Sequence, residues 1–236
     1  MSARSLVRGA ATELAGSALA GLPRLAPDAF AEWFRRLTEL ALNGTTGLPP
    51  ARQTAERALR RHRTVDAAIE SLVRRHVVMA SAQGFVTNLG GGLVSIVGAP
   101  ANLAGVVMVQ TRLIGCVAHL HGYDLDDPRV RTAVVMCLLG PKELRRQVKR
   151  GELPSTPLAV ATAPVHDPAL TNQVAKRVLN WVLADLGSID VIGFLARRTP
   201  ILGGGVGAVG DAYATARVAR CARAHLIDRR PSPPLP

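Results

Sequence analysis

Apolar residues recur along this chain at three- and four-residue spacings, the pattern of helices that bury one face. Phe30, Trp33, Phe34, Leu37 and Leu40 fall on one stripe, opened by Pro27-Asp28 and closed by Asn43-Gly44. Pro50 opens a second helix in which Thr54, Ala55, Ala58 and Leu59 share a face, while Glu56 stands one turn before Arg60. Thr64 is placed to cap a third helix running through Arg75, with Ala68, Ile69, Leu72 and Val73 inward. Asp127-Pro128 and Asp167-Pro168 each set a capping carboxylate ahead of Pro at the first helical position. Those two helices are predicted to stop at Gly140-Pro141 and near Gly187. No segment sustains a period of two. The pattern predicts an all-α chain of roughly eight to ten helices, a compact domain with glycine-rich apolar hairpins.

Two stretches depart from ordinary amphipathic helices. Val77 to Thr111 holds no charged residue, and Gly84, Gly90-Gly91-Gly92 and Gly98-Ala99-Pro100 punctuate it. It is expected to break into two helices, the second running from Pro100 past Arg112 to about His121. The other stretch is Pro200-Ile201-Leu202-Gly203-Gly204-Gly205-Val206-Gly207-Ala208-Val209-Gly210. Glycine costs about 1 kcal/mol against alanine inside an exposed helix. Gly203 and Gly207, or Gly204, Ala208 and Ala212, lie one turn apart and would offset that cost by letting helices approach closely. Leu89 to Val109 has the length of a membrane span, yet glycines, Pro100, Ser95 and Asn102 interrupt it. A buried hairpin, or one dipping into the membrane interface, fits better than a simple span.

Composition narrows the picture. The 236 residues suffice for one domain or two small ones, and 29 Lys+Arg exceed 17 Asp+Glu by 12 charges. The excess is concentrated in Arg52–Arg75, Lys142–Arg150 and Arg217–Arg230. Such blocks are either solvated helix faces or surfaces for anions, whether acidic lipid or nucleic acid. Three scattered Cys make no disulfide framework, which points to a reducing, cytoplasmic compartment. Arg4 and Arg8 precede an alanine-rich stretch broken by Glu13, read as an amphipathic helix rather than a secretory signal.

Candidate chemistry is sparse. Gly205-Val206-Gly207-Ala208-Val209-Gly210 matches a dinucleotide-binding glycine pattern, but no strand–turn–helix context is predicted around it. His119, His121, Asp124, Asp126 and Asp127 crowd one stretch and raise the question of a metal. On a continuing helix the two imidazoles would point about 200° apart, so a helix end with Gly122 as its stop and Asp127 as the next cap is expected instead. Cys116, Cys137 and Cys221 sit among apolar neighbours as core residues. His166 reads as a loop residue and Glu143 as one half of an ion pair. Asp211 is either an N-cap or, inside a continuous helix, a buried acid in want of a partner such as Arg217. Tyr213 is expected in the core. No catalytic, cofactor or metal set emerges.

These pieces together resemble the EcsC protein family. The resemblance runs through Gly84 and the glycine and Pro100 hairpin, then Leu120-His121-Gly122-Tyr123-Asp124-Leu125-Asp126-Asp127-Pro128, then Thr199-Pro200-Ile201-Leu202-Gly203-Gly204-Gly205-Val206-Gly207 and Asp211-Ala212-Tyr213-Ala214-Thr215. It covers roughly residues 77–226. It makes 77–228 an EcsC-like helical core, on which N-terminal amphipathic helices over 1–76, outside the resemblance, are expected to pack; the tail at 229–236 is Pro-rich and expected to be disordered. Gly122, Tyr123, Asp124, Asp211 and Tyr213 match recurring family positions to which no chemical role attaches. The founding member is encoded beside an ABC transporter linked to secretion, and no activity is established for the family. The expectation is therefore a non-catalytic helical protein on the inner membrane surface, with an anionic lipid surface or a membrane protein as partner. The alternatives are a soluble adaptor for an exporter, or a hydrolase using Asp211 or the His119–Asp127 cluster. Nucleic-acid binding has only charge in its favour and no recognised motif.

Overall fold

A computed structural model describes residues 27–45, 48–89, 91–196 and 200–230, with side chains at all of these except 27–31, 83–103, 183 and 185–208. Among the described residues the chain forms nine helices: α1 (Pro27–Asn43), α2 (Ala51–His62), α3 (Val65–Leu89), α4 (Gly91–Leu120), α5 (Pro128–Cys137), α6 (Gly140–Lys149), α7 (Pro157–Ala161), α8 (Pro168–Ala196) and α9 (Pro200–His225). No strand occurs among them beyond an isolated bridge between Thr45 and Leu48. The fold is all-α.

Helix starts follow the capping chemistry. Asp127 accepts from the Arg129 amide at 2.8 Å, Asp167 from the Ala169 amide at 2.8 Å, and Thr64 from the Ala67 amide at 3.3 Å. Helix ends do not follow the glycines. The helix begun at Thr64 passes Arg75 and continues to Leu89, and the one begun at Asp167 passes Gly187 and continues to Ala196. The chain breaks between Leu89 and Gly91 rather than at Pro100, which lies inside α4. Proline there removes one backbone hydrogen bond, yet the helix continues through it to Leu120. Gly140-Pro141 opens α6, because α5 has already ended at Cys137. Gly140 adopts φ +74°, and a Cβ there would lie 2.7 Å from Arg217 Cγ, so α6 can turn against α9 only over a glycine.

A single hydrophobic core runs through α1 to α9, from Phe34, Leu37 and Leu42 through Ile69, Leu113 and Ile114 to Val218 and Leu226. Residues before position 77 are part of that core. The buried face of α2 is built of Ala51, Thr54, Ala55 and Ala58, small enough to bring its backbone against α4, where Cys116 Sγ lies 3.4 Å from Ala51 O. Gly115 serves the same purpose towards α1: a Cβ there would lie 2.4 Å from Leu42 Cδ2.

Two contacts set the register of the long helices. The junction between α3 and α4 is a single residue, so the two form a hairpin. On the second hairpin, the Arg217 guanidinium of α9 stacks 4.6 Å from the Trp181 ring of α8, and the two residues are equidistant from position 199. Among the described residues the broadest helix contact is between α9 and α3. Asp66 at the start of α3 meets Arg223 near the end of α9 at 3.7 Å, so these helices run antiparallel. Asp66 lies as far ahead of the α3–α4 junction as Arg223 lies beyond the α8–α9 junction. The end of α3 and the start of α9, the described limbs of the two hairpin tips, therefore occupy the same end of the bundle.

Candidate functional site

The stretch from His119 to Asp127 forms a helix end and a turn. Gly122, at φ +83°, closes α4: its amide donates to His119 O and the Tyr123 amide to Ala118 O, both at 3.0 Å. This paired closure satisfies the last carbonyls of the helix and places Tyr123 beneath it. Tyr123 is buried, its hydroxyl meets no partner among the described residues, and burial pushes its ionisation upward. The Arg229 guanidinium lies 5.4 Å from its ring centroid. Asp124 Oδ1 accepts from the Asp126 amide at 2.9 Å, fixing the turn. Asp126 meets Arg131 at 2.9 Å and Arg52 at 3.4 Å. Asp127 caps α5, and the hydrogen-bonded Arg129 guanidinium holds its carboxyl below the usual range.

The two histidines part company. His119 Nε2 sits 3.5 Å from Glu56 of α2. His121 turns the other way, its Nδ1 against Leu226 O, while its own carbonyl accepts from the Arg229 amide at 2.9 Å. Residues 226–230 thus strap back over the end of α4, and Arg230 is pinned by Asp228 at 2.6 Å. The first two residues of the expected disordered tail are held in this strap; 231–236 lie outside the described residues. Among the described residues, no three His, Cys, Asp or Glu side chains gather as a metal site would require.

A half-open cleft of about 310 Å³ remains beside this turn, lined by Arg52, His119, Gly122, Tyr123, Asp124, Leu125 and Asp126. Its charged groups are committed to structure: His119 to Glu56, Asp126 to two arginines, and Asp124 to the turn. Gly122→Ala should cost about 1–2 kcal/mol from the left-handed backbone alone, and the new methyl would in addition lie 3.0 Å from Arg230 Cγ. Urea unfolding of the variant checks this.

The other family-like positions lie elsewhere. Helix α9 continues unbroken through the glycines, so Asp211 sits in mid-helix and is not an N-cap. Its side chain is 8% exposed, no donor among the described residues reaches it, and burial pushes its pKa up to about 6. Thr215, one turn on, is fully buried on the same face. Tyr213, about 200° round the helix from Asp211, points out. It is 63% exposed, with the Arg220 guanidinium 6.0 Å from its ring, which corrects the expectation of a core tyrosine. The end of α9 meets the Gly122–Asp124 turn; Asp211 lies about 22 Å back along the helix at about 1.5 Å per residue. The structure does not bring the two sets together. The glycine pattern at 205–210 is inside α9 with no strand before it among the described residues, so it lacks the geometry of a dinucleotide loop. The side-chain packing expected of Gly203, Gly204, Gly207 and Ala208 lies outside the described residues.

Sequence reasoning missed three features. Arg112 is buried, and its guanidinium donates to Ala41 O (3.3 Å), Pro49 O and Thr54 Oγ1 (2.7 Å), tying α4 to the α1–α2 loop. His76 is fully buried; it meets Leu72 O through Nδ1 at 2.8 Å, and desolvation lowers its pKa to about 4. Its only sequence signal was adjacency to Arg75 at the edge of the uncharged run. The three cysteines, by contrast, are buried as expected of core residues, and desolvation drives Cys116 to about 11.

The third feature is a band of exposed apolar side chains. Val78 (67%), Val209 (70%) and Tyr213 (63%) are among the most exposed large apolar residues described. With Asp66 opposite Arg223 on antiparallel helices, Val78 comes level with Asp211. The three residues therefore occupy one band about 6 Å deep.

Scanned against models of known families, the chain matches none, and searches of curated proteins and of solved structures likewise return no match.

Proposed function

We propose that the protein is a non-catalytic, EcsC-like helical protein that sits on the membrane surface, its two hairpin tips directed at the bilayer. The observation that carries this reading is the band of Val78, Val209 and Tyr213, exposed at one level around the bundle. Towards the tips from this band, α3, α4 and α9 contain no charged residue; α8 contains Asp190, and Arg197 and Arg198 stand between α8 and α9 in the sequence. From Val78 to the end of α3 is about 18 Å, against a hydrocarbon core of about 30 Å. That reach enters one leaflet and stops. Among the described residues no helix is long and apolar enough to cross a membrane, in keeping with a wedge rather than a span. A half-exposed tyrosine at the rim suits a headgroup boundary, where an apolar ring and a polar hydroxyl are both satisfied.

Vesicle flotation tests the reading. Wild-type protein should float with lipid vesicles. Val78→Glu with Val209→Glu should lower the bound fraction about tenfold or more, since each valine withdrawn from the interface forfeits about 1.5 kcal/mol. Both positions are exposed, so the variant should keep its circular dichroism and melting temperature. Equal flotation of the two proteins would contradict the reading.

A further inference from the structure

Helix α6 carries a basic face that the membrane reading leaves unused. Its buried residues Leu144 and Gln147 turn towards the core. On the opposite side Lys142, Arg145, Arg146 and Lys149 fall within an arc of about 100°, and all four are exposed. They follow one another at i, i+3, i+4 and i+7, a stripe about 10 Å long. The chain holds three lysines among its 29 basic residues, and two of them, Lys142 and Lys149, stand at the ends of this stripe. Lys142 lies in the first turn, where the helix dipole disfavours a cation.

The charge on this face is unbalanced. On other helices exposed arginines sit beside an acid one turn away: Arg35 and Arg36 with Glu32, Arg60 with Glu56, and Arg74 with Glu70. On α6 the single acid is Glu143. Its side chain is 12% exposed and is held by Arg146 at 2.9 Å and by Gln147 Nε2 at 2.9 Å. Lys142, Arg145 and Lys149 meet no carboxylate among the described residues, and Arg145 donates to Pro141 O of its own helix at 3.1 Å. The field of Arg145 reaches α9, where the pKa of His225 is lowered by burial first and by that charge second. Arg57 and Arg61 on α2 also lack an acid, but the arginine between them, Arg60, is paired with Glu56.

We propose that the α6 stripe of Lys142, Arg145, Arg146 and Lys149 is a docking surface for an acidic helix of a partner protein. Carboxylates on a facing helix at the same i, i+3, i+4 and i+7 spacing would meet the four cations along two turns, as charged flanks do between packed helices. The uncompensated charge would steer such a segment to the surface as well as hold it. Single-stranded nucleic acid binds on aromatic stacking platforms, and α6 has no aromatic residue. A bilayer does not reach this face. With Val209 at the edge of the hydrocarbon, the headgroup layer extends about 5–8 Å further. Gly140 lies against the Arg217 side chain, about 12 Å behind Val209 along α9, and α6 runs on from there towards His225. Docking on α6 is independent of whether the tips enter lipid.

The test is fluorescence anisotropy of the full chain with two labelled helical peptides of about 20 residues and equal composition. One carries glutamates at i, i+3, i+4 and i+7 on a single face; in the other the same glutamates are spread round the helix. The protein should bind the first at least about fivefold more tightly than the second, and binding should weaken as salt rises. Lys142→Gln with Arg145→Gln and Lys149→Gln should cost about tenfold or more on the first peptide. Arg57→Gln with Arg61→Gln should change it by less than about twofold. All five positions are exposed, so both variants should keep the wild-type melting temperature. No binding of the first peptide, equal binding of the two, or undiminished binding by the α6 variant would overturn the proposal. Tighter binding of a DNA duplex, weakened by the same α6 substitutions, would reassign the face to nucleic acid and overturn it too. In vesicle flotation the α6 variant should match wild type, and a loss there would reassign the face to lipid. A wild-type protein that binds the first peptide but never floats would sink the membrane reading and leave the docking surface standing.

Discussion

Arg112→Met should lower the stability of the protein by about 3 kcal/mol or more, seen as a fall of about 10 °C in melting temperature for a chain of this size. The reason is geometric. The guanidinium reaches out of α4 to two backbone carbonyls and a threonine hydroxyl, at positions 41, 49 and 54. Replacing a buried charge by an apolar side chain can be harmless when its partners are replaced as well. Here two partners are main-chain oxygens, which no substitution removes. They would be left buried without a donor, each at a cost of about 1–3 kcal/mol. Arg112→Lys keeps the charge but offers a single ammonium, too compact to serve the whole fan of acceptors. It should recover only part of the loss. A Met variant within about 0.5 kcal/mol of wild type would show that the α1–α2 loop is held by packing alone.

The second large effect concerns pH, and it is hidden in the wild type because two buried groups oppose one another. Burial raises the folded pKa of Asp211 to about 6 from the ordinary 3.8. The folded state holds its proton longer than the unfolded chain, so its contribution to stability is fully present below pH 3.8 and is lost as pH rises through about 6. The span corresponds to about 3 kcal/mol. His76 runs the other way. Its folded pKa of about 4 lies below the ordinary 6.5, so its contribution is present above pH 6.5 and is lost as pH falls through about 4. Between pH 4 and pH 6.5 the two slopes nearly cancel. Asp211→Asn should therefore be more stable than wild type at pH 7, equal to it near pH 3.5, and steadily weakened by acid between. His76→Leu should show the reverse slope, gaining stability as pH falls towards 4. Urea titrations across this range check both. Parallel stability profiles for the variants and the wild type would mean that neither group is desolvated as described.

How much of this could be read in advance divides by the range of the forces involved. Helix starts were legible because a capping Asp or Thr with Pro beside it acts within one turn; Asp127, Asp167 and Thr64 all do so. Helix ends were misplaced because an internal glycine lowers helix propensity by only about 1 kcal/mol and need not end a helix. In α4, α8 and α9 the chain runs through Gly98, Gly187 and the 203–207 glycines. That continuity reversed the reading of α9: with Asp211 and Thr215 turned inward, Tyr213 has to face out. The Gly122 stop and the divergence of His119 from His121 were legible from helical geometry. The partners of Arg112 were not, since a side chain's reach to positions 41 and 49 leaves no local trace. Nor was the apolar band, which exists only because two hairpins distant in sequence bring their tips to the same end.

That shared end is what the whole account depends on, and depth measurement by spin labelling reaches it directly. The native cysteines are buried, and Cys116 is further silenced by its raised pKa. A nitroxide on Val209→Cys can therefore be compared with one on Lys142→Cys, an exposed position on α6. On vesicles, the label at 209 should become accessible to dissolved oxygen and shielded from a water-soluble nickel complex, while the label at 142 keeps its aqueous profile. If the label at 209 stays as open to nickel on vesicles as it is free in solution, the hairpin tips do not enter the bilayer and the account is wrong.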